Sequence, residues 1–116
     1  MFMAYVVVAV ILAFALALSG RGKLVRDKLV VTSLTSVGVP DSWYPRLAAA
    51  ELAGAVGLLV GMLLAPLGVA AAIGVVLYFV GAIVAHLRVR DLKGLSAPTS
   101  LFGLSVAALF LRIVSM

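Results

Sequence analysis

The longest apolar stretch of this sequence, residues 47–87, is too apolar for water and too long for one membrane helix. As a single helix its 41 residues would measure about 60 Å, roughly twice the hydrocarbon thickness of a bilayer. It must therefore fold back, and Pro66 with Gly68 forms the strongest breaker near its middle. We predict two spans, residues 47–64 and 67–87, joined by a short hairpin that turns at Pro66 and Gly68.

Two further stretches complete the predicted fold. Residues 1–19 carry no charge, and residues 99–115 carry only Arg112, whose side chain we expect to extend to the far membrane surface. Hydrophobic residues make up 66% of the 116 positions and charged residues 11%, against roughly 25% in soluble domains. We predict an all-α integral membrane four-helix bundle that forms a single domain.

The first apolar stretch has an alternative interpretation as a signal peptide, because Ala15-Leu16-Ala17 followed by Ser19-Gly20 resembles a cleavage site. The stretch has no basic residue before it and is longer than a typical signal core, so a retained helix is favoured.

Positive charge is concentrated in the two predicted loops, residues 20–46 and 88–100. Eight of the nine Lys and Arg residues lie there: Arg21, Lys23, Arg26, Lys28, Arg46, Arg88, Arg90 and Lys93. Cytoplasmic loops of membrane proteins carry such an excess, so both termini are predicted to be extracytoplasmic.

The first of these loops contains a segment, residues 23–37, that mixes charges with apolar residues. It is too short and too charged to cross a bilayer, so we predict that it lies at the membrane surface and ends at Gly38 and Pro40. Trp43 and Tyr44 follow where an interfacial aromatic anchor is expected.

Glu51 is the only acidic residue within residues 47–87. A carboxylate at a helix centre in hydrocarbon costs about 2.5–3.5 kcal/mol, so such residues are candidates for function. The predicted topology brings it to one rim of the bundle with Lys23, His86 and Arg88, and Tyr78 lies two turns deeper than His86. This predicted buried polar cluster is either a structural ion pair or a proton-exchanging site.

Small residues predict the helix contacts. Gly54, Gly57 and Gly61 form one stripe on the second span, and Gly74 and Gly81 follow a similar pattern on the third. Small residues let membrane helices approach closely, which favours packing within the hairpin, with a homodimer interface as the alternative.

Several chemistries are disfavoured by the composition. The chain has no cysteine, which excludes disulfides, thiol redox chemistry and cysteine-ligated metals, and one His with one Glu is too few ligands for a typical metal site. The charges flank apolar spans without forming a basic tract, so we expect no nucleic-acid partner. We predict no catalytic residues and no resident cofactor, although a quinone or lipid would suit an apolar interior.

Four segments occur in an order and spacing that resemble the DoxX-like family of small four-helix membrane proteins. They are Ser19-Gly20-Arg21-Gly22-Lys23-Leu24, Gly38-Val39-Pro40, Glu51-Leu52-Ala53-Gly54, and Gly81-Ala82-Ile83 with His86-Leu87. The resemblance covers nearly the whole chain, and it implies a bacterial cytoplasmic membrane protein with Gly20, Lys23 and Glu51 as recurring polar features. It also implies association with quinone-linked oxidation, oxidative-stress enzymes or larger membrane assemblies.

Two functional hypotheses follow. The first is a non-catalytic accessory or anchoring subunit of a redox or cell-envelope complex, with other membrane subunits as partners. The second is a small transporter or binder of a lipophilic molecule such as a quinone, with Glu51 as a proton-linked site.

Overall fold

The computed structural model describes residues 1–90 and 95–116, apart from the side chain of Asp41; Lys93 lies outside these residues. The described residues form α-helices and no strands. The helices are α1 (Phe2–Leu24), α2 (Lys28–Ser36), α3 (Tyr44–Val60), α4 (Ala65–Arg88) and α5 (Ser96–Val114), with a 3₁₀ turn at Asp41–Trp43 before α3. Three of them, α1, α4 and α5, are long and apolar enough to cross a membrane. The shorter α3 has 17 residues.

The four long helices contact one another in pairs. Helix α1 packs against α3 and α5, and α4 packs against the same two helices. Their shared interior is formed by apolar side chains with little exposure, including Tyr5, Leu12, Leu16, Leu58 and Phe79. Most of the remaining large apolar side chains are exposed, as expected of a surface that faces lipid.

The turn between α3 and α4 lies earlier than the sequence predicted. Helix α3 ends at Val60 and α4 begins at Ala65, so the chain turns over residues 61–64. Pro66 is in the first turn of α4, where its missing N–H would have had no helical partner in any case. Gly68 is therefore helical and does not form the turn.

Glycines of α3 bring the two arms of this hairpin together. A Cβ added to Gly61 would meet the backbone of Gly68, and one added to Gly57 would lie 2.7 Å from Ala71 Cβ. A Cβ added to Gly54 would lie 2.7 Å from Val75 Cγ2. The stripe of α3 thus packs within the chain, against α4.

Gly74 and Gly81 do not share this role. A Cβ at either position would meet no described atom within 4 Å, so neither glycine forms a close helix contact within the described part of the chain, and packing against a second copy stays a prediction. Both are exposed because they lie on the open sides of α4.

Arg112 is buried, which corrects the expectation that it extends to the membrane surface. Its Nε donates to the carbonyl oxygen of Gly61 at 2.9 Å, and its guanidinium lies 5.3 Å from the ring centroids of Phe2 and Tyr5. The Tyr5 hydroxyl donates to the carbonyl oxygen of Leu58 at 2.8 Å. Carbonyl groups at a helix C-terminus lack helical partners and attract cations, so α1 and α5 together cap α3.

Helix α2 occupies the segment that the sequence assigned to the membrane surface. Asp27 caps its start by accepting a hydrogen bond from Leu29 N at 3.1 Å, and Gly38 follows its end with φ of +80°, a conformation that favours glycine. Its contact with a membrane stays a prediction. The two residues of the predicted aromatic anchor differ in exposure. Trp43 is half-exposed, whereas Tyr44 is buried with the Arg26 guanidinium 5.3 Å from its ring centroid.

The hairpin contact predicts a large difference between two Gly→Ala substitutions. Gly61→Ala should lower the free energy of unfolding by about 1–3 kcal/mol, because the new methyl group would overlap the backbone of α4. Gly103→Ala is the control: its Cβ meets no described atom within 4 Å, and alanine is the better helix former, so stability should be unchanged or rise by up to about 1 kcal/mol. Denaturant unfolding in detergent micelles measures both, and equal stabilities would contradict the close contact.

Candidate functional site

The centre of the site is an ion pair between Lys23 of α1 and Glu51 of α3. Lys23 Nζ donates to Glu51 Oε1 and also to Ser19 Oγ, at 2.9 Å, one turn earlier on α1. Lys23 is 8% exposed and Glu51 is 2% exposed, so this pair is withdrawn from solvent. The predicted partners are therefore in direct contact.

Local packing explains how Lys23 reaches Glu51. Helix α1 continues to Leu24, beyond the predicted end of the span at residue 19, and this places Lys23 in its last turn. Gly20 allows the end of α1 to approach α3, since a Cβ there would lie 3.2 Å from Leu52 Cγ and 3.4 Å from the Ala48 carbonyl oxygen. A larger residue at position 20 would push the lysine away from the carboxylate.

Tyr78 joins α4 to the same carboxylate. Its hydroxyl donates to Glu51 Oε1 at 2.9 Å, so one oxygen accepts hydrogen bonds from both α1 and α4. The other oxygen, Oε2, is buried and has no hydrogen-bond partner among the described residues. Glu51 thus connects three helices through one oxygen atom and leaves the second unengaged.

The two remaining members of the predicted cluster lie in different environments. His86 is buried, 8% exposed, and forms part of a cavity wall together with Lys23 and Tyr78. Arg88 is exposed, which corrects its assignment to the buried cluster. It is the last residue of α4, where a long cationic side chain can extend to the surface and is favoured by the helix dipole.

The cavity beside the ion pair has a volume of about 530 Å³. All five helices contribute to it, including α2 and the first two turns of α5. Its polar lining residues are Ser19, Lys23, Ser33, Tyr78 and His86, and most of the rest are apolar. We call this space the α2 cavity. A concave, largely apolar space with a few convergent polar groups is the usual form of a small-molecule site.

Metal binding receives no geometric support from the described residues. They contain no group of three or more His, Cys, Asp or Glu side chains placed to hold an ion.

Sequence reasoning did not find the α2 cavity. The signal available was in α2 and the residue that follows it, where Leu29, Val30, Ser33, Leu34 and Val37 recur at helical spacing and all line the cavity. We predicted that this apolar face contacts lipid, because an amphipathic helix at a membrane surface and one that covers a protein cavity have the same sequence pattern.

The helices and the buried ion pair define a helical membrane protein. The chain belongs to the DoxX-like family, whose model matches residues 7–108, a range that includes Lys23, Glu51, Tyr78 and His86. No curated protein and no solved structure matches the chain.

The ion pair predicts a specific pattern of stabilities. Glu51→Gln should lower the free energy of unfolding by about 3–5 kcal/mol, because the buried Lys23 loses its counter-charge. The double variant Lys23→Met with Glu51→Gln should recover most of that loss, since no buried charge is left unpaired. Unfolding in micelles followed by circular dichroism gives these values.

Lys28→Met is the matched control, because Lys28 is exposed, and it should change stability by no more than about 0.5 kcal/mol. A double variant that is no more stable than Glu51→Gln would contradict the charge-pair account.

Proposed function

We propose that the protein is a non-catalytic membrane subunit that holds a lipophilic molecule with a hydrogen-bond-accepting head, such as a quinone, in the α2 cavity. The observation that carries this proposal is the cavity itself, a largely apolar space of about 530 Å³ whose wall includes Lys23, Tyr78 and His86.

The chemistry of the wall suits an uncharged, oxygen-bearing head group. A lysine ammonium has three N–H donors, and Lys23 directs two of them to Ser19 and Glu51, which leaves a third for a ligand oxygen. Because Glu51 already balances the lysine charge, an anionic head group would add an uncompensated charge to an apolar site. A carbonyl oxygen accepts a hydrogen bond and carries no charge, so it suits this site.

The apolar part of the wall suits a hydrocarbon tail or ring. Val30 and Leu34 of α2 and Val37, which directly follows α2, line the cavity together with Phe79 of α4 and Leu101 of α5. The volume falls within the range of about 300–1,000 Å³ that small-molecule sites occupy.

The hydrogen bonds of Glu51 favour a subunit over a proton-linked transporter. Oε1 accepts from Lys23 and Tyr78, so protonating or moving this carboxylate would disturb contacts among α1, α3 and α4. Glu51 in this proposal fixes the position of Lys23 beside the cavity. Ligand chemistry would be completed by a partner in a redox or cell-envelope assembly, as the family resemblance implies.

Trp43 offers a direct test, because it lines the α2 cavity and is the only tryptophan in the chain. A short-tailed ubiquinone analogue should quench its fluorescence saturably in the purified, nanodisc-embedded protein. Gly81→Leu should weaken this binding about tenfold or more, since the leucine side chain would extend into the cavity from an open position on its wall.

Gly103→Leu is the matched control, because Gly103 is equally open but does not line the cavity, and it should bind as the wild type does. Unsaturable quenching, or equal affinities for the two leucine variants, would refute the cavity as the binding site.

The membrane arrangement is part of the proposal. Helices α1, α3, α4 and α5 would form a four-helix bundle in a bacterial cytoplasmic membrane, with α2 at the cytoplasmic surface and both termini outside. The contacts of α3 with α1 and α4, and the cationic residues Arg21, Arg26, Lys28 and Arg46 near one end, support it.

Epitope tags on the two termini, probed in intact cells, should both be accessible, and purification in mild detergent should recover a stoichiometric membrane partner. A cytoplasmic terminus would contradict the topology. Recovery of the chain alone would contradict the subunit role.

A further inference from the structure

Helix α2 has little support from the rest of the protein. None of its nine residues is buried, and its main contact with another helix is with the end of α1, where a Cβ added to Gly22 would lie 3.0 Å from Val30 Cγ2. An isolated helix in water is marginal below about 12–15 residues. A surface outside the chain would therefore stabilise α2.

The turn from α1 into α2 exposes apolar side chains. Leu24 and Val25 are more than half exposed, and Leu29, at the start of α2, is 82% exposed. The turn directly follows α1, which is long and apolar enough to cross a membrane. Apolar side chains at such a place can insert into the boundary between lipid head groups and acyl chains.

Exposed cations lie close to these apolar side chains. Arg21 and Lys28 stand on either side of the turn, and neither side chain is in an ion pair with a described residue. The Arg26 guanidinium lies 5.3 Å from the Tyr44 ring centroid, and this contact brings the start of α3, with the exposed Arg46, beside the same turn. We call this surface the basic corner, and it consists of Arg21, Leu24, Val25, Lys28, Leu29 and Arg46.

The positive charge of the basic corner is not cancelled by the acidic side chains that the structure describes. Glu51 is buried in its ion pair with Lys23, and Asp27, which caps α2, is the one exposed carboxylate among them. Three cations against one carboxylate leave an excess of positive charge, so the basic corner favours an anionic partner.

The combination of charged and apolar surface distinguishes between anionic partners. A nucleic acid would neutralise Arg21, Lys28 and Arg46 but would leave the three apolar side chains in water. An anionic phospholipid offers a negative head group to the cations and an acyl region to the apolar side chains. The lipid therefore fits the whole surface.

We propose that the basic corner binds the head groups of anionic phospholipids, and that this binding holds α2 as a helix at the bilayer surface. The membrane arrangement described above requires only that α2 lies near the bilayer, whereas here the stability of α2 depends on the charge of the lipid. No ligand in the α2 cavity is needed for this interaction.

Hydrogen–deuterium exchange in nanodiscs tests the proposal. Amides of α2, residues 28–36, should exchange about tenfold more slowly in phosphatidylglycerol than in phosphatidylcholine, because each cation near an anionic surface adds to the attraction. High salt should reduce the difference by screening the charges. Amides of residues 5–16 in α1 should exchange equally in both lipids, since this part of α1 contributes several buried side chains to the interior.

Two double variants with the same net charge separate the basic corner from a general effect of charge. Arg21→Gln with Lys28→Gln should abolish most of the lipid difference. Arg88→Gln with Arg90→Gln removes two exposed cations at the end of α4 and should retain the difference. Equal exchange of α2 in the two lipids, or equal losses in the two double variants, would overturn the proposal. Because the experiment contains no quinone, its failure is distinguishable from failure of binding in the α2 cavity.

Discussion

The rest of the structure depends on the ion pair between Lys23 and Glu51. A buried charge without a partner is costly, so the pairing of Lys23 with Glu51 holds the C-terminal turn of α1 against α3. Tyr78 adds α4 to the same carboxylate oxygen, and Gly20 supplies the space for the approach. Lys23 and Tyr78 also line the α2 cavity, so the ion pair lies directly beside that space.

Helix α3 is the shortest of the four long helices and is fixed at its middle and at its C-terminal end by side chains of its neighbours. At the middle, Glu51 binds Lys23 and Tyr78; at the end, the Leu58 and Gly61 carbonyl groups accept hydrogen bonds from Tyr5 and Arg112. Between these points its glycines pack on α4. Membrane helices lack a hydrophobic driving force for association, and here close packing and buried polar contacts supply the attraction.

The sequence predicted the features that depend on composition and local order. Continuous apolarity identified α1, α4 and α5 as helices able to cross a membrane, and the cost of a carboxylate in hydrocarbon identified Glu51. The burial of Arg112 escaped prediction because its acceptor, Gly61, lies 51 positions away in the chain. Gly74 resembles Gly57 in the sequence. The relative rotation of α3 and α4, which the sequence does not reveal, places Gly57 in contact with α4 and leaves Gly74 without a close contact. The α2 cavity likewise depends on where α2 lies, which its amphipathic pattern does not specify.

The contact between Lys23 and Glu51 can be measured directly in a lipid bilayer. With ¹³C at the glutamate carboxyl carbon and ¹⁵N at the lysine side-chain nitrogens, solid-state NMR reports the dipolar coupling between them, and Glu51 is the sole glutamate. A strong coupling is expected, which should disappear in Lys23→Gln and persist in Lys28→Gln. Absence of this coupling in the wild-type protein would show that Lys23 and Glu51 are not in contact.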